Sequence, residues 1–197
     1  FEPGSKQAYS NFGYCLLGRV IEKASGQPYE KFVADELLKP IGITSMRLGR
    51  TMSTAKGEVR YYEQQPAKAP SVFANYLGQR VPSPYGAWCL ESMDSDGGWI
   101  GSAIDVARFG SAIDFPARFL VVKGASFDQK FNPDYFHYGA FSGSSTLFHR
   151  TSAGLTYAVL FNARLTTDGK ELGSAIHDPL KEVLAAVKEW PTGDLFR

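Results

Sequence analysis

The stretch from Ser10 to Gly26 constrains this chain more than any other, because it carries a complete helix signature. Ser10 or Asn11 can accept a hydrogen bond from a first-turn N–H, and Gly26 offers the left-handed residue at which helices commonly end. Phe12, Cys15, Leu16 and Val20 recur at helical spacing, and Leu17, Ile21 and Ala24 widen the apolar stripe. A stripe of that width predicts a largely buried helix over residues 12–25. Gln27-Pro28 then breaks the chain, and Tyr29, Phe32, Val33 and Leu37 mark one face of a second helix over 29–38, ended by Pro40 and Gly42.

The remainder changes character. Residues 50–96 hold four prolines and no sustained period, which predicts a long irregular region with short strands, of the kind that often serves function. Gly97-Gly98 precedes another helix: Ser102 with Asp105 resembles a capping box with Asp in place of Glu, and Val106, Phe109 and Ile113 supply its apolar face. Residues 145–150 and 156–164 read as strands around the turn Thr151-Ser152-Ala153-Gly154. Ser174 is the expected cap of a last helix bearing Ile176, Leu180, Val183, Leu184 and Val187, with Trp190-Pro191 at its end. Helices before and after a hairpin imply an α+β architecture.

Composition excludes several function classes. Hydrophobic residues at 44% and aromatics at 14% supply a packed core, and the net charge of +1 comes without a Lys/Arg cluster, against a nucleic-acid partner. No apolar run approaches the ~20 residues of a membrane span. His137, His149 and His177 lack zinc-ligand spacing, so no metal is expected, and there is no phosphate-binding glycine loop. Cys15 and Cys89 could pair, but Cys15 sits on the apolar helical face, and two buried free thiols are the favoured reading. Trp88, Trp99, Tyr61, Tyr62 and Tyr85 could line a cleft, although core and loop packing is the plainer account. Asp105 suits a helix start, where the macrodipole favours negative charge.

Tyr9-Ser10-Asn11 ahead of the first helix, and His137-Tyr138-Gly139 ahead of the hairpin, carry the chemistry. With Pro3-Gly4, Phe12-Gly13-Tyr14, Leu17-Gly18-Arg19-Val20-Ile21-Glu22, Ser25-Gly26 and Pro40-Ile41-Gly42-Ile43, the first motif resembles the serine β-lactamase and penicillin-binding protein family, in its class C and esterase-like branch. The run from Gly97-Gly98 through Ser102, Asp105 and Phe109 resembles that family's Gly-Gly-x-x-Ser-x-x-Asp-x-x-x-Phe helix. Gly143-Ser144-Ser145-Thr146-Leu147 and Ala158-Val159-Leu160-Phe161-Asn162 resemble its closing strands. The resemblance implies a β-lactamase/transpeptidase-like fold, an antiparallel sheet flanked by helices.

It also implies acyl transfer to a serine, with hydrolysis of an amide, β-lactam or ester. A serine needs a base in hydrogen-bond reach and donors aimed at the developing oxyanion. Carried over, Tyr9 is the proton shuttle, Asn11 the substrate-amide contact and His137 the third-motif side chain. Gly139 permits close approach, and the Ala140 N–H is the oxyanion donor. No cofactor is implied. The partner is a small-molecule or peptide-like substrate, and the family's members imply an extracytoplasmic location.

Two departures qualify this. Only eight residues precede Tyr9, so no Ser-x-x-Lys nucleophile stands before it, and residues 1–197 read as the C-terminal part of such a domain. Ser53-Thr54-Ala55-Lys56 matches literally but follows Tyr9 in a Gly- and charge-flanked loop, whereas the nucleophile belongs at a buried helix start with both side chains at i, i+3. The stretch between Asp105 and His137 also lacks a Gly-x-Gly-Trp-like strand. A fragment of this kind is expected to expose apolar surface, and to self-associate or bind a complementing N-terminal chain. The alternative is a non-catalytic ligand-binding or structural remnant of the same fold.

Overall fold

The computed structural model describes residues 1–2, 5–63, 68–112 and 134–193. Helix α1 (Asn11–Ser25) starts where Ser10 accepts a hydrogen bond from the Gly13 N–H at 3.1 Å, and ends at Gly26, whose φ of 70° is the left-handed stop. α2 (Tyr29–Phe32) runs on through a loosened i→i+5 turn over Val33–Leu38 and a tightened one over Lys39–Ile41, and Gly42 at φ 79° closes it.

Then comes the irregular region. β1 (Arg47–Leu48) pairs antiparallel with β4 (Trp99–Ile100), and β2 (Lys68–Pro70) with β3 (Arg80–Pro82), which leads into the single turn α3 (Ser83–Gly86). α4 (Ala103–Ala112) opens on a reciprocal cap. Asp105 N–H donates to the Ser102 hydroxyl at 3.1 Å, and Ser102 N–H donates to the Asp105 carboxylate at 3.2 Å. Of the apolar face expected for this helix, Ile113 lies outside the described residues, as does the stretch searched for an additional strand.

The main sheet is antiparallel, in the order β5 (Tyr135–Phe141), β6 (Ser144–Arg150), β7 (Thr156–Phe161). Its alternation creates two unlike faces. α4 covers part of one, and its Gly110 is obligatory there because a Cβ would run into the Phe148 ring and Thr156. The other is covered by α5 (Leu172–Ala175) and α6 (His177–Ala185), where a Cβ on Gly173 would strike the Thr146 carbonyl. Leu147 at the centre of β6 is fully buried. Residues 57–63 cross toward the end of β7, where Tyr62 N–H donates to Asn162 O at 2.9 Å and the Asn162 amide donates to Arg60 O at 2.9 Å.

Several expectations need correction. α1 is not largely buried. Phe12, Leu16, Leu17 and Val20 are all exposed, Phe12 by 70%, and only Gly18 is buried, against Ser95. Beside the buried Gly18, Arg19 pairs with Asp94 at 2.5 Å. The last helix begins at Leu172, not at Ser174, whose hydroxyl donates back to Glu171 O at 2.9 Å; close docking at Gly173 sets that earlier start. Val183 points outward. Cys15 and Cys89 are free, as expected, but only half-buried.

Candidate active site

Tyr9 and His137, far apart in the sequence, meet. Their ring centroids lie 6.0 Å apart with a 40° interplanar angle, and Tyr14 flanks Tyr9 at 5.7 Å. The Ser10 cap fixes where the chain enters α1 and thereby places Tyr9 just outside the helix, with Asn11 as its exposed first residue. The rings touch as a tilted aromatic pair. Both side chains are open to solvent.

β5 supplies the rest. The turn Ser142-Gly143 has two residues, with Gly143 at φ 72°, so its flanking pair Phe141–Ser144 exchanges hydrogen bonds. Such pairs alternate along the ladder, so Gly139–Thr146 and His137–Phe148 also bond. The Ala140 N–H therefore points away from β6, toward the open side of β5, where no described strand lies. That is the orientation an oxyanion donor requires. A Cβ at Gly139 would sit 2.5 Å from the Thr146 hydroxyl, which would have to turn aside.

On the same face of the sheet opens a cleft of about 640 Å³, lined by Thr146 and Phe148, the cross-strand partners of Gly139 and His137, and not by His137, Gly139, Tyr9 or Asn11 themselves. Met46, Trp99, Val106 and Leu160 make it mainly apolar, and Glu58 and Asn162 bring polar groups to its wall. Of the aromatics that sequence placed at a cleft, Tyr61 and Trp99 line this one and Trp88 a smaller neighbour. Tyr85 instead braces the wall, accepting from Tyr61 N–H at 3.1 Å. Burial first, then the nearby Glu58 carboxylate, pushes the Tyr61 phenol well above its ordinary value. Asp105 is structural: burial alone would raise its carboxyl, but the hydroxyls of Ser45 at 2.5 Å and Ser102 at 2.8 Å hold it below the usual range.

Ser53-Thr54-Ala55-Lys56 is not helical. Ser53 forms an isolated bridge with Arg50 beside Met52, which has a left-handed φ of 57°, and Ser53 and Lys56 are both exposed. Among the described residues no cluster of His, Cys, Asp or Glu can hold a metal, and no helix is long and apolar enough to cross a membrane.

Sequence reading missed a polar core on the opposite face of the sheet. Tyr138 Oη lies 2.5 Å from His177 Nδ1, His177 Nε2 lies 2.9 Å from His149 Nδ1, and His149 Nε2 lies 2.8 Å from the Asp134 carboxylate. Tyr157 Oη also reaches His149 Nδ1 at 2.7 Å. Strand alternation already put Tyr138, His149 and Tyr157 on one side, but nothing in the sequence brought His177 to them.

The aligned part is 25% identical to the putative penicillin-binding protein PbpX of Bacillus subtilis over 78% of this chain and 39% of that protein. A segment of 44 residues is 41% identical to a putative D-alanyl-D-alanine carboxypeptidase of Escherichia coli, covering 22% of this chain and 10% of that protein. The chain thus spans well under half the length of these relatives. The fold matches the D-amino acid amidase of Ochrobactrum anthropi, solved with L-phenylalanine amide, at a TM-score of 0.67 and 20% identity, over 95% of this chain and 59% of that one. The Beta-lactamase family matches residues 1–180, and to that family of serine hydrolases the chain belongs.

Proposed function

We propose that these residues form the proton-relay and oxyanion side of an acyl-transfer site acting on an amide, β-lactam or ester. Tyr9 moves the proton, Asn11 contacts the substrate amide, His137 polarises the site and the Ala140 N–H receives the oxyanion, with Gly139 keeping the approach clear. The observation that carries this reading is the meeting of Tyr9 and His137 beside an open-edge N–H and an apolar cleft. No role falls to Ser53, since its exposed, non-helical setting presents neither a base nor a helical partner lysine to the cleft. On this reading the described residues bind and polarise substrate, and Ser53 is not the nucleophile.

Two measurements test this. The chain alone is expected to leave a chromogenic cephalosporin and a p-nitrophenyl ester at background, with or without Ser53→Ala; turnover abolished by that substitution would make Ser53 the nucleophile. L-Phenylalanine amide, the ligand of the amidase relative, is expected to perturb the NMR signals of Tyr9, Asn11 and Ala140. Perturbation confined elsewhere on the molecule sinks the assignment.

A further inference from the structure

The polar core behind β5 has a directional logic. Asp134 is ionised, its carboxyl held low first by the bond from His149. His149 therefore donates from Nε2. With His149 neutral, its Nδ1 is an acceptor with one lone pair, which the Nε2–H of His177 at 2.9 Å and the Tyr157 hydroxyl at 2.7 Å share. His177 Nδ1 is then also an acceptor, and the Tyr138 hydroxyl donates to it. Every bond runs from Tyr138 toward Asp134.

One added proton reverses that order, and the Tyr157 hydroxyl turns from donor to acceptor. His149 as imidazolium donates from both nitrogens, to Asp134 and toward His177. His177 must then accept at Nε2 and carry its own proton on Nδ1, so that Tyr138 becomes the acceptor. A second proton does not fit, because two N–H groups would face each other across 2.9 Å. The charge belongs on His149, beside Asp134. On His177 it would be buried, opposed by Lys181 and His149 and only partly offset by Asp178 and Asp134, and these surroundings, burial foremost, keep that ring below its ordinary value. Among the described residues, the groups facing the chain are Asp134 before β5, Tyr138 on β5, His149 on β6, Tyr157 on β7, and His177, Asp178 and Lys181 on α6.

Tyr138 lies between His137 and Gly139, and β5 is held among the described strands by β6 alone. We propose that Tyr138, His177 and His149 are positioning residues for the His137–Ala140 segment, joined to Asp134 in a hydrogen-bonded chain that holds either no extra proton or one and reverses direction between the two. The inference deepens the hydrolase reading, on which its relevance to His137 and Ala140 rests. Proton loading changes how the strand bearing both is pinned from behind.

Nitrogen-15 NMR of the imidazoles across about pH 8 to 5 tests it. His177 is expected to switch from the Nε2–H to the Nδ1–H tautomer at the same midpoint at which His149 becomes imidazolium. In His137→Gln protein, where that ring's own titration is gone, the Ala140 amide is expected to shift with the same midpoint. Adding Tyr138→Phe removes one oxygen and keeps the ring; the Ala140 inflection is then lost while His149 still titrates. A His177 that keeps one tautomer throughout overturns the proposal, as does an Ala140 inflection indifferent to Tyr138→Phe. Failure of L-phenylalanine amide to reach Tyr9 and Asn11 would sink the hydrolase reading and leave these tautomers untouched, so the two failures are separable.

Discussion

α1 and α4 are both capped, amphipathic helices, and they end in opposite circumstances. α4 sets Gly110 on the sheet and buries Asp105 in a triad of donors. α1 is anchored by Gly18 and Arg19 to the 92–96 loop and leaves Phe12, Leu16 and Val20 in solvent. An apolar stripe states that a face prefers burial; it does not say whether a partner stands opposite. Glycine is the better marker here, since each helix makes its closest approach where the side chain is missing.

The contrast can be broken at its strong end first. Gly110→Leu forces a side chain into Phe148 and Thr156, and overpacking of this kind is expected to lower stability by about 3 kcal/mol in denaturant unfolding. Loss of less than about 1 kcal/mol would mean that α4 is loosely seated. Asp105→Ala leaves the Ser102 N–H and the Ser45 hydroxyl without their acceptor, which should cost about 2 kcal/mol by the same assay.

Acidification acts on the same packed half. His177 binds protons less readily folded than unfolded, so it contributes nothing to the pH dependence above the unfolded value, about 6.5, and stability falls as pH drops through it. Thermal melts at about pH 7 and 5.5 should show that loss, and His177→Phe should flatten it. The smallest stability effect is expected on α1. Leu16→Glu, at an exposed position, should change stability by no more than about 0.5 kcal/mol while sharply reducing dye binding and self-association by light scattering. A larger loss would show that the stripe is already covered in solution.

Local chemistry was legible in the sequence and long-range placement was not. The Ser10 cap, the Gly26 stop, the Ser102–Asp105 box and the β6–β7 hairpin follow from neighbours in the chain and are found, with β7 ending at Phe161 and not at Arg164. The exposure of α1 depends on what lies opposite, and the start of α5 on a backbone contact with β6, so neither could be read from periodicity. Tyr9 and His137 were paired through family resemblance alone. His177 joined the polar core because α6 crosses behind β6, a fact of topology with no local trace.

The tie between Arg60 and Asn162 has a kinetic consequence. It closes a loop of 102 residues, whereas the β5–β6 hairpin closes over two, and chain entropy makes distant closures slow to form. The outer wall of the cleft is thus assembled after the sheet. Contacts made that late barely affect the folding rate and instead set the rate of opening, so this wall is where the molecule first comes apart.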